Sequence, residues 1–447
     1  MTDELTVEVT TLGPRGDGIA KNPGGGARGR LYIAGALPGE QVRVRPGNPR
    51  GDGFAAKLLE IVEPSPDRIE APCRHFATCG GCSVQHLGGD AYRDWKRDLV
   101  VAAIKRVGFE PDLVAPLVPT VNDGRRRATF AAFRPRAKDS KTFFGFHTRA
   151  SRHVVEMEEC LILRPELMAL VPKLRHVLAD LVPPGARWDV AVTLADNGFD
   201  VLIEAAHEPG PDASMGLAMF AEEQGLARVA WQLEGSERDQ IEPIALRQSP
   251  VLELSGIPVE IPPGVFLQAS AEAEQILAKL VVEAAEGTRV ADLYCGVGTF
   301  ALPLAAAGAK VMAVDGDAAA LGALARAAGT AGFGGNVTTE TRDLVRRPLA
   351  AADFKRIETI VFDPPRCSGA GRGNCAIGRS ADRRRVLQPG DLRARCAHPV
   401  RGWLYAGADH ARGPVRLVRA CGAGGGVFKI VAGGFEIRPI SHRHARI

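Results

Sequence analysis

No window of this 447-residue sequence approaches the ~18 unbroken apolar residues that a membrane-spanning helix needs. The opening Met1-Thr2-Asp3-Glu4 carries neither a basic start nor an apolar run, so no secretory leader is expected. No repeat recurs at solenoid periods, which excludes a stacked-repeat architecture. These absences place the chain, as an expectation, in the cytoplasm, away from membranes and monomeric. Charge of one sign is lacking too: 56 basic against 52 acidic residues leave +4, with a pI near 8.6 that only mildly invites nucleic acid. What is there is 45% hydrophobic residues, enough for a soluble, core-forming protein of about three domains at roughly 150 residues each. Nine cysteines, an odd number in a chain expected inside the cell, speak for metal or catalytic roles rather than disulfides.

Residues 1–64 read as short strands broken by turn clusters. Leu5–Val9 and Gln41–Arg45 alternate apolar with polar, and Arg30–Ile33 follows a Gly-rich stretch, a pattern that predicts a small barrel. Arg43, Arg45, Arg50 and Lys57 would give it either an electrostatic track for RNA or an ordinary solvated face. Pro64-Ser65-Pro66-Asp67 then leads into a central segment, 65–260, of mixed α+β texture. The spacing there predicts helices over 93–108 and 165–181 and strands over 129–133 and 189–194. From about 270 the sequence alternates predicted helix (271–286, 300–307, 318–331) with apolar strand (289–294, 310–314, 357–362). That βαβ rhythm predicts a doubly wound parallel sheet over 261–366.

Three motifs carry chemistry. Cys73, Cys79 and Cys82 form C-x5-C-G-G-C, with Cys160 farther on, and thiolates from a tight loop suit either an iron–sulfur cluster or a structural zinc. Buried free thiols acting as small hydrophobes are the plain alternative. Val290–Phe300 is a buried strand running into Cys295-Gly296-Val297-Gly298 and then a helix, the arrangement in which backbone N–H groups meet a nucleoside cofactor. Asp315, after the next strand, is placed to accept ribose hydroxyls. Gly296-x-Gly298-x-x-Ala301 also satisfies a nicotinamide-dinucleotide pattern, so NAD stays open on these residues alone. Cys295, directly after a buried strand, reads as a packing residue. Finally Asp363-Pro364-Pro365-Arg366 ends a strand and presents Asp363 at the carboxyl edge of the sheet.

With these residues assembled, the sequence resembles the RNA uracil-5-methyltransferases that use S-adenosylmethionine, in particular the branch acting on 23S ribosomal RNA with a [4Fe–4S] cluster. The likeness runs from about residue 5 to 366. It takes in Leu37-Pro38-Gly39-Glu40 of a TRAM-like barrel, the cysteine motif continuing to Gln85-His86, and Gly145-Phe146-His147 leading to Cys160. It continues through Pro263–Gln268, the Leu-Tyr-Cys-Gly loop and Asp-Pro-Pro-Arg. The resemblance implies a Rossmann-like catalytic domain behind the barrel and a central iron–sulfur domain. It implies that Cys73, Cys79, Cys82 and Cys160 hold the cluster. It also implies that Gln268, Tyr294, Thr299, Asp315, Asp343 and Asp363 bind S-adenosylmethionine, with Asp343 on the adenine side and Thr299 where relatives often carry Asn. RNA is the implied partner, 23S rRNA ahead of tRNA.

The same family places a nucleophilic cysteine in Ser-Cys-Asn-Pro and a base in Val-Glu-Leu, and neither segment occurs here. Residues 367–447 instead hold 14 Arg, 14 Gly and four cysteines. An Arg/Gly-rich RNA-binding tail is one reading. The genetic code offers another. Permitted GC-rich codons for Val386–His398, read one base later, give Ser-Cys-Asn-Pro-Ala-Thr-Phe-Ala-Arg-Asp-Ala-Arg. Those for Asp409–Phe428, in the same shift, give a segment containing Ala-His-Val-Glu-Leu-Val. Two such matches in one shared frame predict a frameshift at or shortly after Arg366, with the nucleophile codon straddling Leu387 and Gln388 and the base codon Gly422 and Ala423. On this reading Cys367, Cys375, Cys396 and Cys421 are accidental, the tail is poorly packed, and the chain as written is inactive. Its 14 Arg and one Lys against four acids make the tail +11 and the remainder −7, so the basic balance belongs to the tail. A non-catalytic iron–sulfur RNA-binding protein is the alternative if the tail is genuine, and an NAD-dependent oxidoreductase ranks last.

Overall fold

The computed structural model describes residues 4–24, 29–106, 109–137, 140–149 and 151–364, together with two strands at 416–422 and 425–431. The chain divides into two compact units, one of residues 1–100 and 129–190, the other of 101–128 and 191–447.

The first unit begins with β1 (Leu5–Leu12), β2 (Asp17–Lys21), β3 (Arg30–Ala34), β4 (Gln41–Arg50) and β5 (Gly53–Glu63), closed into a barrel in the order β1-β2-β3-β5-β4. The alternation explains the closure. Val7 and Val9, Leu31 and Ile33, and Val42 and Val44 all point inward and are buried, while their neighbours face water. Closure leaves no edge strand to aggregate. The arginines of the outer face are largely spoken for. Arg43 pairs with Glu60 at 2.8 Å, Arg45 with Glu4 at 2.7 Å and Arg50 with Asp17 at 2.6 Å, which weakens the expected positive track.

Helix α1 (Gly89–Lys105) starts one turn earlier than its apolar spacing suggests, with Asp90 in its first turn. Strands β6 (Arg127–Phe133), β7 (Phe143–His147) and β8 (Val154–Glu156) follow, β6 and β8 each pairing antiparallel with β7. Helix α2 (Pro165–Leu181) opens on Pro and buries Leu167, Leu170, Val171, Leu174 and Leu178 along one stripe. Strand β9 (Arg187–Ala195) alternates as expected, with Trp188, Val190 and Val192 inward.

In the second unit, β10 (Gly198–Ala205) pairs parallel with β11 (Arg228–Leu233) through the helix α3 (Pro211–Glu223), and β12 (Glu242–Leu246) adds an antiparallel strand. A small hairpin of β13 (Val251–Leu254) and β14 (Ile257–Glu260) precedes the parallel α/β half. There α4 (Ala271–Ala284), β15 (Arg289–Leu293), α5 (Ala301–Ala306), β16 (Lys310–Asp315), α6 (Ala318–Thr330), β17 (Val337–Thr341) and β18 (Thr359–Phe362) build a four-stranded sheet in the order β17-β16-β15-β18. All its pairings are parallel, which bears out the α/β reading. Ala- and Leu-rich α6 forms readily and buries Ala320, Leu321, Ala323, Leu324, Ala327 and Ala328 in the core. Strand order reverses at β15, so a crevice for a ligand opens at the carboxyl ends of β15, β16 and β18.

Beyond residue 364 the described residues comprise β19 (Arg416–Gly422) and β20 (Gly425–Val431), paired antiparallel with each other as a separate sheet. The expectation of loose packing over the rest of 367–447, and the accidental status of Cys367, Cys375 and Cys396, concern positions outside the described residues.

Candidate cofactor and metal sites

At the crevice, strand β15 ends at Leu293, one residue short of its expected limit, because Tyr294 takes a left-handed φ of 59°. Such a conformation is costly for an aromatic residue and marks a site held by its surroundings. The peptide N–H groups of Tyr294 and Cys295 both donate to the Val314 carbonyl, at 2.8 and 3.3 Å, which turns the chain out of the sheet. Gly296 (φ 55°) and Gly298 (φ 99°) continue the loop. A Cβ on Gly298 would lie 2.4 Å from Leu324 of α6, so only glycine lets the helix close on the loop. A Cβ on Gly296 would meet nothing within 4 Å: that side of the loop is open. Thr299 lies half-buried in the turn ahead of α5.

Asp315, at the end of β16, accepts Gly296 N–H on Oδ2 (2.8 Å) and Asp317 N–H on Oδ1 (2.9 Å). Burial, with the charges of Asp343 and Asp315, pushes the Tyr294 hydroxyl up to about 12, so it stays a neutral donor. Its ring packs edge-on against Phe362 at 5.5 Å. Asp343 is fixed by its own turn, accepting the N–H groups of Val345 and Arg346. On the other side of β15, Gln268 donates its amide to Asp363 at 3.5 Å, and the peptide N–H of Asp363 reaches the Leu293 carbonyl at 3.4 Å. The structure thus brings Gln268, Tyr294, Asp315, Asp343 and Asp363 around one strand end. Cys295 is buried, and burial with nearby Asp292 and Asp315 pushes its thiol well above the usual range, as a packing residue requires. The donor set fits a nucleoside cofactor: carboxylates for ribose hydroxyls, an open glycine face, and an aromatic neighbour.

Sequence reasoning did not single out what stands behind this edge. Arg126 and Glu274 form a buried ion pair at 2.8 Å, both side chains 6% exposed. Burial pushes the Glu274 carboxyl up although Arg126 opposes it. Arg126 N–H donates to the Ala269 carbonyl and its side chain to Gln268 O, so the pair holds the Gln268 segment in place. The sequence shows Arg125-Arg126-Arg127 only as a run of charge; its partner on α4 lies 148 positions away.

The cysteine motif lies in the first unit. Arg74, next to Cys73, pairs with Glu158 at 2.8 Å and Glu159 at 3.3 Å, next to Cys160. Gly80 N–H donates to His147 O at 2.8 Å, and a Cβ on Gly80 would collide with that same oxygen. These bonds clasp the two cysteine-bearing segments together. Burial pushes the thiols of Cys79 and Cys82 up, and the neighbouring cysteines, Cys73 and Cys160 among them, add to the effect. Gly81 N–H donates to Cys79 Sγ at 3.4 Å, and Gln85 bonds Cys82. Among the described residues no group of three or more His, Cys, Asp or Glu is arranged to hold a single metal ion. Four soft thiols within one another's field, with N–H donors on the sulfurs and Arg149 beside them, are a donor set that suits an iron–sulfur cluster, in which each sulfur binds a different iron.

No protein-family model matches the chain. An uncharacterized RNA methyltransferase of Brucella suis is 38% identical over 369 residues, covering 82% of this chain and 84% of the relative. The 23S rRNA (uracil(1939)-C(5))-methyltransferase of Halomonas elongata is 32% identical over 81% of this chain and 76% of its own. Among solved structures, the tRNA (uracil-54, C5)-methyltransferase of Pyrococcus abyssi, in complex with S-adenosyl-L-homocysteine, superposes with a TM-score of 0.60 at 19% identity. It covers 81% of this chain and 84% of that one, and shares the fold. From the relatives in sequence, the chain belongs to the RNA uracil-C5 methyltransferase family.

Proposed function

We propose that this chain descends from, and in its intact frame is, an S-adenosylmethionine-dependent enzyme that methylates C5 of a uridine in 23S rRNA. S-adenosylmethionine, when bound, supplies an electrophilic methyl on its sulfonium. The chain's own residues orient it: Asp315 takes the ribose hydroxyls, Asp343 the adenine side, Tyr294 and Thr299 line the loop, and Gln268 and Asp363 complete the cofactor contacts on the other side of β15. C5 of uracil is a weak nucleophile, so the reaction needs a cysteine thiolate to add at C6 and push electrons into an enolate. C5 then takes the methyl, a carboxylate removes the C5 proton, and the thiolate leaves. The uridine must be unstacked for both reagents to reach it.

The barrel (1–64), the segment 65–260 with a [4Fe–4S] cluster on Cys73, Cys79, Cys82 and Cys160, and the cofactor segment 261–366 divide this work. The thiolate and the base are missing from the chain as written, and a frameshift after Arg366 accounts for both. One observation carries this reading. Val386–His398 and Asp409–Phe428, read one base later in one shared frame, supply the two family segments that are otherwise missing, and the match to the Brucella relative leaves 18% of this chain and 16% of the relative outside it. Family membership also favours a sulfonium cofactor over NAD at the Gly296 loop.

The test is transfer of radiolabelled methyl to unmodified 23S rRNA or tRNA, with the frame-restored and literal chains side by side. Label at uracil C5 is expected from the restored chain alone. Label from the literal polypeptide above a no-enzyme control, or an uninterrupted gene encoding 367–447 as written, would overturn the frameshift.

A further inference from the structure

Arg149, just past the end of β7, reaches across the Cys73–Cys82 loop. Its peptide N–H donates to the Thr78 carbonyl at 3.3 Å, next to Cys79. Its guanidinium Nη2 donates to the Cys82 carbonyl at 2.7 Å. The same guanidinium lies 5.9 Å from the centre of the Phe76 ring, in the middle of the loop. Thr148, the residue before it, forms an isolated bridge with Cys79, which fixes where the arginine starts. Arg149 is half-buried, and among the described residues it forms no ion pair. The other charges of the two cysteine-bearing stretches are already balanced, because Arg74 pairs with Glu158 and Glu159. His75 accepts the Glu158 N–H on Nε2 at 3.3 Å, as a neutral ring does. A half-buried cation beside the thiols is thus left without an anion, an unfavourable state unless the thiolates supply one.

We propose that Arg149 is the fixed counter-charge of the iron–sulfur cluster, strapped over the cysteine loop and holding the cluster's reduction potential up. This rests on the cluster assignment made above. A cluster on four thiolates is an anionic assembly, and an added electron deepens its charge. A fixed cation therefore favours the reduced form more than the oxidised one, and net charge is among the factors that set such potentials. The contacts explain why the cation is an arginine. A planar guanidinium can donate to the Cys82 carbonyl in its own plane while its face covers the Phe76 ring, which an ammonium cannot do from one position. Arg149 is a positioning and charge-compensating residue, not a ligand.

The test is a potentiometric titration of the anaerobically reconstituted full chain, followed by its visible absorption, with iron content measured first and the titrant supplying the single electron. Arg149→Gln is expected to load as much iron as the parent but to be about tenfold harder to reduce, a shift of about 59 mV to more negative potential. Arg149→Lys keeps the charge and should hold the parent's potential, while losing iron faster to a chelator because the carbonyl and ring contacts are weakened. A glutamine chain with the parent's potential overturns the proposal. So does a lysine chain shifted as far as the glutamine chain, since the guanidinium would then act by shape alone. A parent cluster that takes up no electron in water overturns it as well. If the glutamine chain loads no cluster, the lysine chain decides: a cluster at the parent's potential sustains the counter-charge, and any other result overturns it. A parent chain without iron defeats the cluster assignment itself, a distinguishable outcome.

Discussion

The carboxylate of Asp315 holds the peptide N–H of Gly296 at 2.8 Å, tying the glycine loop after β15 to the end of β16 before any cofactor arrives. Its second oxygen is turned by the Asp317 N–H at 2.9 Å, so the group is aimed and retains lone pairs, as the proposed contact with ribose hydroxyls requires. Hydrogen bonds to a charged acceptor contribute about 1.5–3 kcal/mol each. Asp315→Ala is therefore expected to weaken S-adenosylhomocysteine by about 10- to 100-fold in calorimetry, and Asp315→Asn by less. Binding by the alanine variant within twofold of the parent would remove Asp315 from the cofactor site.

The Arg126–Glu274 pair is buried behind the Gln268 segment, and a half-removed pair leaves a charge stranded in the interior. Glu274→Ala or Arg126→Met should each lower stability by about 3–5 kcal/mol in denaturant unfolding. An Arg126→Met, Glu274→Leu double variant should recover much of that loss. Single variants no worse than the double would mean the ions are not coupled.

Much of the framework was legible because it is local. Alternation at Val7 and Val9 or Val42 and Val44 specifies the barrel strands, and Pro165 with the Leu167–Leu178 stripe specifies α2 within its observed limits. Helix α3 escaped notice because Pro209-Gly210-Pro211 reads as a loop, while exposed Met215 and Met219 blur the buried stripe of Ala213, Leu217 and Phe220. Thr-rich β17 has no apolar run to announce it. At the site, the individual ligand candidates could be read from motifs. The arrangements that position them could not, because Arg126 meets Glu274 and Arg238 meets Asp317 across 148 and 79 positions. Nor does a sequence show that Tyr294 must leave the strand with a positive φ.

Acid should loosen the first unit, and two buried groups give the same sign. Burial, reinforced by the charge of Arg68, lowers His86 from 6.5 to about 4. The unfolded chain thus takes a proton near pH 6.5 that the folded one refuses until about 4. The stability contributed is full above 6.5 and is lost as pH falls across that window. For Glu40, burial alone would raise the carboxyl, but Arg68 and the N–H groups of Leu37 and Ser65 outweigh it and hold it below 4.5. Its contribution is present above 4.5 and lost below. The denaturation midpoint should therefore fall from pH 7 to 5, and His86→Phe, which keeps an aromatic ring against Phe76, should flatten that fall. An unchanged slope in the variant would exclude His86 as the source.

The clasp around the cysteines makes a prediction that separates iron from zinc. Arg74 with Glu158 and Glu159, and Gly80 with His147, hold the loops of Cys73–Cys82 and Cys160 together through groups that are not themselves ligands. Anaerobically purified protein should carry about four irons per chain and the broad visible absorption of iron–sulfur charge transfer, where zinc would give one colourless ion. Cys82→Ser or Cys160→Ser should abolish the absorption. Arg74→Ala should leave all four thiols and load the cluster, but lose it faster to air or chelator, because the clasp rather than the ligand set is weakened. A stoichiometric zinc content with no chromophore would replace the cluster by a structural zinc. Loss of iron at the same rate from Arg74→Ala and parent would show that the ion pairs do not hold the site closed.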